Sequence, residues 1–543
     1  MKAEEKDISS IFADNHIYEI PKYQRPYSWT EDNVSELISD VADAFENDLI
    51  EYFIGSIITI EKSKKQYEVV DGQQRLTTLT LIFAGLRNLI SDETAKAEIQ
   101  KKILPINAFT EEPEQPRLKV RNKEHLFFYE HILLGKKIDT EYSLGEIEQK
   151  FLNNLKTVEK FFRDKNETYL KKYANYLLQS VYVVFVNTDS FESAYRLFNV
   201  LNARGLSLSN GDLLKNQLFG LSKTELEQNK IEQYWNQLED IITIKHLDSF
   251  LSHYRTALKA NKAQKDLYQE YVDYLKDNQI SAEDFCKTLV NSAKNYKKLR
   301  TLEFSDNRTK KFVQSLFNVS YDEWIPPVLA YMNKPIENMP FDDFIGLIEK
   351  ITYQNWVRRL GRTKRNTVYY NVINKLKGGA REEEITELIY SYTNNEEFFS
   401  LLNSNVYGMS YAKAVLLRMD TASQDDSVLK NYSGLISIEH ILPQTGTDEY
   451  WKSRFNEEQV ENNVHKLGNL VLLSGRKNSQ AQNHSFGRKR EIYQRKNEAT
   501  SFDLTKKVCD TEEWTLSEIE KRQSELLKLA KKIWEIKTYT NVV

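Results

Sequence analysis

Apolar residues recur every three to four positions from about residue 225 to 410, with charged residues between them. This spacing places the apolar side chains along one face of a helix. The chain has only 18 Gly and 10 Pro among its 543 residues, so it has few of the residues that form tight turns. An all-β architecture is therefore disfavoured, and the sequence predicts a predominantly helical α+β protein.

Shorter apolar runs near both ends of the chain indicate strands. Strands are predicted at residues 52–60, 67–70, 182–186, 436–442 and 467–473. Helices are predicted at residues 30–45, 73–90, 191–201 and 511–536, and from about 478 onward. At roughly 150 residues per domain the length predicts three or four units. We expect an N-terminal domain at 1–220, a helical middle domain at 221–420 and a C-terminal domain at 421–543.

The charge balance and the cysteine content exclude several classes of protein. The net charge of −4 excludes a positive field over the whole molecule, so a nucleic-acid surface must be local. Two cysteines cannot form a disulfide framework. The first residues lack the apolar core of a signal peptide, and the apolar stretch 79–86 is far shorter than the roughly 20 residues of a membrane span. The simplest expectation is a soluble cytoplasmic protein with no membrane partner.

The C-terminal part carries an acid-His pair, then an Asn, then a second Asn, on a predicted strand, strand and helix. These are Glu439-His440 within IEHILPQ, Asn469 within LGNLVLL, and Asn478. The order resembles the HNH nuclease motif, also called the ββα-metal fold. Over residues of about 434–495 it resembles more closely the C-terminal HNH domain of the GmrSD family of modification-dependent restriction enzymes.

These residue types suit phosphodiester hydrolysis, because that reaction needs an activated water and a stabilised leaving oxygen. One imidazole supplies general-base catalysis, and one divalent ion supplies Lewis-acid stabilisation. The resemblance implies His440 as the base and Glu439 with Asn478 as metal ligands, while Asn483 competes for the metal role. Asn469 would orient His440 or pin the loop. Oxygen ligands favour Mg²⁺ or Mn²⁺ over Zn²⁺. For His440 to act as the base, the hypothesis also requires that its ring is accessible.

Two positions depart from the common HNH pattern. Glu439 stands where Asp is usual, and its side chain is longer. Asn478 stands where His is frequent, and its amide oxygen is a weaker, neutral ligand. Ordinary surface residues are the alternative interpretation of the acid-His pair.

Basic residues surround this motif. Residues 451–496 contain ten Lys and Arg against four Glu, which favours a polyanion partner with salt-sensitive affinity. The predicted DNA contacts are Lys466, Arg476, Lys477, Arg488, Lys489 and Arg490. A second basic cluster, 358–365, lies near Trp356, Tyr369 and Tyr370. Its aromatic residues could stack bases, although a core-and-rim helix explains them equally well.

Three strings stand out in the N-terminal part. They are IPKYQRPYSW at 20–29, VVDGQQRLTTL at 69–79, and FNVLNARG at 198–205 followed by DLLK at 212–215. Together they resemble the ParB-like α/β N-terminal domain of the same GmrSD family, over about 8–220. The DGQQR string is the family's nucleotide-associated motif.

The residues of these strings fit a phosphate site. A turn at the end of a strand leads into a helix N-terminus, whose backbone N–H groups bind phosphate, and Arg75 offers bidentate contacts. The predicted nucleotide-binding residues are Asp71, Gly72, Gln73, Gln74, Arg75, Thr77, Thr78, Gln24, Arg25, Asn202 and Arg204. A capped polar turn is the alternative. The chain has no Walker A sequence, so any nucleotide hydrolysis requires another kind of site.

The two resemblances together imply a nucleotide-responsive, divalent-metal-dependent DNA endonuclease of phage defence. Its expected cofactors are Mg²⁺ or Mn²⁺ and a nucleoside triphosphate, and its expected partner is modified phage DNA. Two alternatives stay open, namely a nucleotide-responsive DNA-binding regulator with an inactive HNH domain and an RNA-directed nuclease. The predicted helix 511–536 could form a homodimer, or it could pack within the chain.

Overall fold

The computed structural model describes residues 2–13, 15–107, 109–138, 143–188, 209–222, 224–337, 339–425, 427–430, 432, 434–494 and 502–537, without the side chains of 244, 475 and 476. The chain divides into two compact units, Met1–Asn236 and Gln237–Val543. The predicted division into three domains stays a prediction. The α+β, mostly helical fold class is confirmed, because helices far outnumber strands in both units.

A six-stranded mixed sheet forms the centre of the first unit. Its strands are β1 (Lys2–Asp7), β2 (Ile17–Glu19), β3 (Tyr52–Ser63), β4 (Gln66–Asp71), β5 (Leu118–Lys119) and β6 (Val181–Thr188), in the spatial order β1-β6-β3-β4-β2-β5. β1 pairs antiparallel with β6, and β3 pairs parallel with β6 and antiparallel with β4. β2 is parallel to both β4 and β5. The central strands occupy the predicted positions.

The helices of the first unit cover the sheet and supply most of its core. They are Ile8–Ile11, Glu31–Glu46, Gln73–Leu89, Glu93–Ile103, Asn122–Phe127, Glu146–Phe162, Glu167–Gln179 and Asn210–Leu221, with a π-helical segment at Phe128–Leu133. The helix Glu225–Ile241 begins in this unit and ends in the second. Residues 73–74 and 76–87 of the third helix are buried, so this helix lies at the centre of the core. The predicted helix 191–201 lies outside the described residues.

The second unit begins with the helices that the apolar periodicity predicts. They are Ile244–Lys259, Leu267–Asp277, Ala282–Thr301, Asn307–Phe317, Ile325–Asn333, Phe341–Val357, Arg362–Lys377, Glu382–Ser391, Asn395–Asn403 and Ala412–Ala422. They are followed by β7 (Ile436–His440), the helices Glu449–Lys452 and Glu457–Asn463, a 3-10 turn at Leu467–Asn469, β8 (Leu470–Ser474), and the helices Gly475–Ala481, Phe486–Gln494, Asp503–Val508 and Leu516–Trp534.

The second strand of the β7–β8 pair starts later than the predicted 467–473. Its first predicted residues form a 3-10 turn, where the backbone N–H of Gly468 donates to Oε1 of Gln523 at 2.6 Å. A Cβ at Gly468 would lie 2.5 Å from the carbonyl oxygen of Ile519. Only glycine permits so close an approach of the last helix.

That last helix, Leu516–Trp534, buries its apolar face within its own unit. Ile519, Leu526, Ala530 and Trp534 are buried, and the helix packs against Phe341–Val357 and Asn395–Asn403. The apolar face of this helix therefore packs within the chain, which is the second of the two possibilities raised by the sequence. A homodimer stays a prediction. In the described part of the chain, no helix is long and apolar enough to cross a membrane.

Candidate functional site

Strand pairing brings the C-terminal motif residues onto neighbouring elements. β7 and β8 pair antiparallel, with His440 opposite Leu470. The helix Gly475–Ala481 follows β8 directly and packs against both strands. Glu439 and His440 at the end of β7 and Asn478 in that helix thus belong to one strand-strand-helix arrangement.

His440 is a buried imidazole with contacts to both ring nitrogens. Its Nε2 lies 3.2 Å from Nδ1 of His465, and its Nδ1 lies 3.4 Å from Nε2 of Gln444. The centroid of the Tyr407 ring is 4.1 Å from that of His440. Burial, then the nearby charges of His465 and Lys489, lowers the pKa of His440 to about 3. The imidazole is therefore neutral at neutral pH, and the lowered pKa makes it a weak base.

The sequence hypothesis requires an accessible His440 ring, whereas in the structure this residue is buried. Only 6% of His440 is exposed, because Tyr407 and His465 cover it, with their own rings stacked at a centroid distance of 5.4 Å. Hydrolysis at His440 therefore requires that these covering side chains admit a water and a phosphate group.

Glu439 forms a buried ion pair. Its Oε1 accepts a hydrogen bond of 2.6 Å from Nζ of Lys489, which also donates to the carbonyl oxygen of His440 at 2.6 Å. Burial raises the pKa of Glu439, and the charge of Lys489 partly opposes this shift. Lys489 is fully buried, which differs from the surface position expected of a DNA contact, because its ammonium neutralises the buried carboxylate.

Glu439 and Asn478 carry the kinds of oxygen atom that bind a hard divalent cation. Asn478 has a buried Oδ1 with no hydrogen-bond partner in the described part of the chain, so an amide oxygen is available in the helix that packs against β7. Carboxylate and amide oxygens are typical ligands of Mg²⁺ and Mn²⁺. No group of three or more His, Cys, Asp and Glu able to hold a metal occurs among the described residues. Asn483 is exposed, and its Nδ2 lies 3.5 Å from the Thr445 hydroxyl.

Asn469 pins the loop that follows β7. Its Oδ1 accepts from the backbone N–H of Leu442 at 2.8 Å and from Nε1 of Trp514 at 3.2 Å. Its Nδ2 donates to the carbonyl oxygens of Leu442 and Val464, each at 2.9 Å. These contacts match the loop-pinning alternative, because the fully buried amide contacts backbone groups and the Trp514 indole rather than the His440 ring.

The predicted DNA-binding residues differ in exposure. Arg488 is 51% exposed and pairs with Glu491 at 2.5 Å. Lys466 and Arg490 are half-buried, and Arg490 donates to the carbonyl oxygen of Thr511 at 3.1 Å. Lys477 is buried, unlike a surface contact, because its ammonium lies against the interior carbonyl oxygen of Tyr493 at 3.4 Å. The side chain of Arg476 lies outside the described residues.

In the first unit, β4 ends at Asp71 and the helix Gln73–Leu89 begins two residues later. Gly72 joins them with a φ of 90°, and a Cβ there would lie 3.0 Å from the carbonyl oxygen of Ser56. Glycine tolerates both the left-handed conformation and this close approach. The turn therefore brings a helix N-terminus, with its unpaired backbone N–H groups, to the end of a strand.

The glutamines of the first two strings hold those strings together. Oε1 of Gln74 accepts from the backbone N–H of Ser28 at 2.8 Å and of Trp29 at 3.2 Å. Nε2 of Gln24 donates to the carbonyl oxygen of Val70 at 2.8 Å. Gln24, Gln73 and Gln74 are all buried, so Gln24 and Gln74 are part of the scaffold of this site.

The predicted threonines also make internal hydrogen bonds. The Thr77 hydroxyl donates to the carbonyl oxygen of Gln73 at 2.8 Å, and the Thr78 hydroxyl lies 2.8 Å from that of Tyr27. Tyr27 is buried and its ring stacks on Phe151, with 5.3 Å between centroids. Tyr27 therefore packs in the core, and its stacking surface is not available to a base.

Arginines and carboxylates remain as the charged groups of this site. Nη1 of Arg75 donates to the carbonyl oxygen of Ser56 at 2.8 Å. Burial raises the pKa of Asp71, and the charges of Arg75 and Arg25 oppose that shift. Burial also raises the pKa of Asp212, where Arg25 is the largest opposing charge. Arg25 therefore lies close to carboxylates of both the second and the third strings.

Sequence analysis does not identify some residues of these sites, and two of the predicted nucleotide-binding residues cannot be placed. Asn202 and Arg204 lie outside the described residues. His465 lies two residues before the LGNLVLL string and carries a weak signal as a histidine beside a motif, whereas Tyr407 belongs to none of the quoted strings. Asp212 stands in the third quoted string, but only the fold brings it near Arg25.

Comparison with protein families gives two matches at these same regions. The model described as the N-terminal domain of the GmrSD restriction endonuclease matches residues 8–219. The model described as the C-terminal domain of GmrSD restriction endonucleases matches residues 391–529. The chain belongs to the GmrSD family of restriction endonucleases. A search of curated proteins gives no match.

Membership of the GmrSD family confirms the resemblance found in the sequence and supports a nuclease that acts on DNA. Glu439, His440, Asn469 and Asn478 lie inside the C-terminal match, as do Tyr407 and His465. Residues 220–390, which contain about half of the helices of the second unit, lie outside both matched ranges.

Proposed function

We propose that this GmrSD-family protein is a nucleotide-responsive, divalent-metal-dependent endonuclease of phage defence that cuts modified foreign DNA, with His440 as the general base. The proposal takes the β7–β8 pair and the helix Gly475–Ala481 as an HNH, ββα-metal site, and the first unit as a ParB-like domain. The observation that carries it is the neutral His440 imidazole, held at both nitrogens beside Glu439.

His440 would accept a proton from the attacking water through one ring nitrogen after that water displaces the side chain that contacts this nitrogen. Contacts from His465 and Gln444 would fix the tautomer and the orientation of the ring. A positioned general base of this kind accelerates such a reaction by about 10²–10⁴-fold. Asn469 would keep the loop after β7 in place and thereby hold the base at a constant position.

Glu439 and Asn478 would hold Mg²⁺ or Mn²⁺, which when bound supplies charge stabilisation for the leaving oxygen. The unpartnered Oδ1 of Asn478 supports this assignment. Lys489 favours the ionised form of Glu439 through its hydrogen bond. Arg488, the exposed member of the predicted DNA-binding set, would contact backbone phosphates.

The first unit would bind a nucleoside triphosphate at the start of the helix Gln73–Leu89. Backbone N–H groups of that helix start and the guanidinium groups of Arg75 and Arg25 supply phosphate contacts. The carboxyl group of Asp71 would hold the ribose or a metal ion. Gln24 and Gln74 support the proposal indirectly, because their hydrogen bonds bring the first two strings together.

Two observations favour a second candidate function. The covered His440 ring and the Glu439–Lys489 ion pair suit a DNA-binding regulator that responds to a nucleotide and does not cut. Such a protein would keep salt-sensitive DNA binding without hydrolysis.

Cleavage assays on three substrates separate these functions. Plasmid DNA, modified phage DNA and RNA are incubated with the protein in Mg²⁺, Mn²⁺ or a chelator, each with and without a nucleoside triphosphate. The proposal expects divalent-dependent cutting of modified phage DNA that changes with nucleotide. DNA binding without cutting under every condition would establish the second candidate, and cutting of RNA alone would overturn both.

A further inference from the structure

A cleft lies among the helices of the second unit that neither family match covers. Two adjoining cavities, of about 370 and 240 Å³, share Ser249, His253 and Asp322 as lining residues. The larger volume falls within the roughly 300–1,000 Å³ of small-molecule sites. The residues that line this cleft belong to neither candidate site described above.

Aromatic side chains form one wall of the larger cavity. Tyr296, Phe317 and Trp324 all line it. Phe317 is 40% exposed, and its ring meets that of the buried Trp324 edge to face at a centroid distance of 5.1 Å. An exposed aromatic ring held by a buried one offers a rigid surface on which a planar ring can stack.

Cations stand beside this aromatic wall. The guanidinium carbon of Arg300 lies 5.8 Å from the centroid of the Tyr296 ring and 6.0 Å from that of Phe317. Arg300 forms no ion pair with a carboxylate in the described part of the chain. In the smaller cavity, the 80% exposed Arg362 lies 3.5 Å from Glu323. Accessible guanidinium groups near aromatic rings favour a ligand that combines an anion with a planar ring.

Two residues of the cleft wall have unused hydrogen-bonding capacity. Nε2 of His253 lies 3.0 Å from Oδ2 of Asp322, whereas Nδ1 of His253 is buried without a partner among the described residues. Oε1 of Glu323 accepts from Arg365 at 2.8 Å, whereas its Oε2 has no such partner. Buried polar atoms normally find a partner, and the edge of a nucleobase carries both donors and acceptors.

We propose that this cleft binds a nucleotide unit, with its base stacked on Phe317 and its phosphate paired with Arg300. The inference rests on the proposed function, in which the protein encounters both nucleoside triphosphates and DNA. The same chemistry has two sources, a free nucleotide or one nucleotide of a single DNA strand. The second source would give the protein a means of examining DNA away from the nuclease site.

Photo-cross-linking of the full-length protein tests this proposal and locates the bound probe. One probe is a free azidoadenosine triphosphate, and the other is a short single-stranded oligodeoxynucleotide that carries the same azidoadenine. After irradiation, the labelled peptides are identified by mass spectrometry. We expect label within residues 296–325, and this position is distinct from the predicted nucleotide site of the first unit.

Exposed side chains allow matched variants. Arg300→Gln should weaken cross-linking in the cleft about tenfold, as loss of one charge-assisted contact predicts, and Phe317→Ala should reduce it similarly. Lys297→Gln removes the same charge from an exposed position of the same helix and should leave it unchanged. Label from the free nucleotide or from the oligonucleotide alone supports the proposal and identifies the source.

Two results overturn the proposal. One is absence of label in the cleft with both probes, and the other is equal labelling of Arg300→Gln and Lys297→Gln. DNA cleavage by the same preparations is measured separately. A protein that cuts DNA but shows no label refutes only the cleft, whereas a protein that is labelled but cuts nothing refutes only the proposed nuclease.

Discussion

In the N-terminal site, motif side chains such as Gln74 bind backbone groups of another quoted string, whereas in the C-terminal site Glu439 and His440 each bind a side chain that lies outside the quoted strings. Gln74 accepts two backbone N–H groups, while Glu439 pairs with Lys489 and His440 with His465. The comparison teaches that the first motif builds its site, whereas the ionisable residues of the second motif depend on partners that the fold supplies.

Loss of the Lys489 ammonium should have the largest effect on folding. Lys489→Ala leaves the carboxylate of Glu439 buried and uncompensated, which costs about 3–5 kcal/mol for a broken buried ion pair. Thermal unfolding of the full chain measures this change. Arg488→Ala, at the neighbouring exposed position, should change stability by less than about 0.5 kcal/mol.

A double variant completes this test. Glu439→Gln with Lys489→Met removes both charges and should recover much of the lost stability, because no unpaired charge remains. If Lys489→Ala melts at the temperature of the wild type, the buried ion pair does not stabilise the C-terminal site.

Removal of the Gln74 amide should destabilise the first unit by a smaller amount. Gln74→Ala leaves the N–H groups of Ser28 and Trp29 without their acceptor, at a cost of about 1–3 kcal/mol for an unsatisfied buried group. Thermal unfolding measures the shift, and Gln66→Ala at an exposed position of β4 is the control. An unchanged melting temperature would contradict the scaffold role of Gln74.

Loss of the Arg75 guanidinium should weaken nucleotide binding more than it lowers the stability of the fold. Arg75→Gln removes a guanidinium from the proposed phosphate site and should weaken triphosphate binding about tenfold, which corresponds to about 1.4 kcal/mol. Equilibrium titration with a fluorescent nucleotide measures the affinity. Lys64→Gln, at the exposed turn between β3 and β4, should bind as the wild type does, and equal loss in both variants would refute the assignment.

The smallest expected effect concerns DNA affinity. Arg488→Gln removes one exposed cation, so the slope of log affinity against log salt should fall in magnitude by about one. Fluorescence anisotropy at several salt concentrations determines the slope. Lys276→Gln, exposed in the helix Leu267–Asp277, is the control. An unchanged slope would exclude Arg488 from the DNA interface.

Periodicity predicts much of the fold, because burial of one helix face or strand leaves a pattern in the sequence. The helices from Ile244 to Ala422 and the strands β3, β4 and β6 follow that pattern. β1 does not, because Lys2–Asp7 is a charged edge strand whose residues are mostly exposed, and charged edges protect a sheet from further pairing. Its position comes from backbone hydrogen bonds to β6, which leave no apolar pattern.

The candidate sites are predictable only where the motif itself makes the contacts. The turn at Gly72 follows from the DGQQR string, since that position requires a positive φ and a close approach to Ser56. The covering of His440 by Tyr407 and His465 arises from tertiary packing between residues that are 33 and 25 positions away from it. No local pattern in a single sequence encodes such contacts.

The most direct test of the nuclease assignment is DNA cleavage by His440→Ala beside His484→Ala, which removes an exposed histidine downstream in the same unit. We expect divalent-dependent cleavage to fall about 10²-fold or more in His440→Ala and to persist in His484→Ala. Because His440→Ala removes a buried ring, it should melt below the wild type, so cleavage is compared at a temperature at which both variants are folded. Cleavage by His440→Ala at the rate of the wild type would contradict the role of this imidazole as the base.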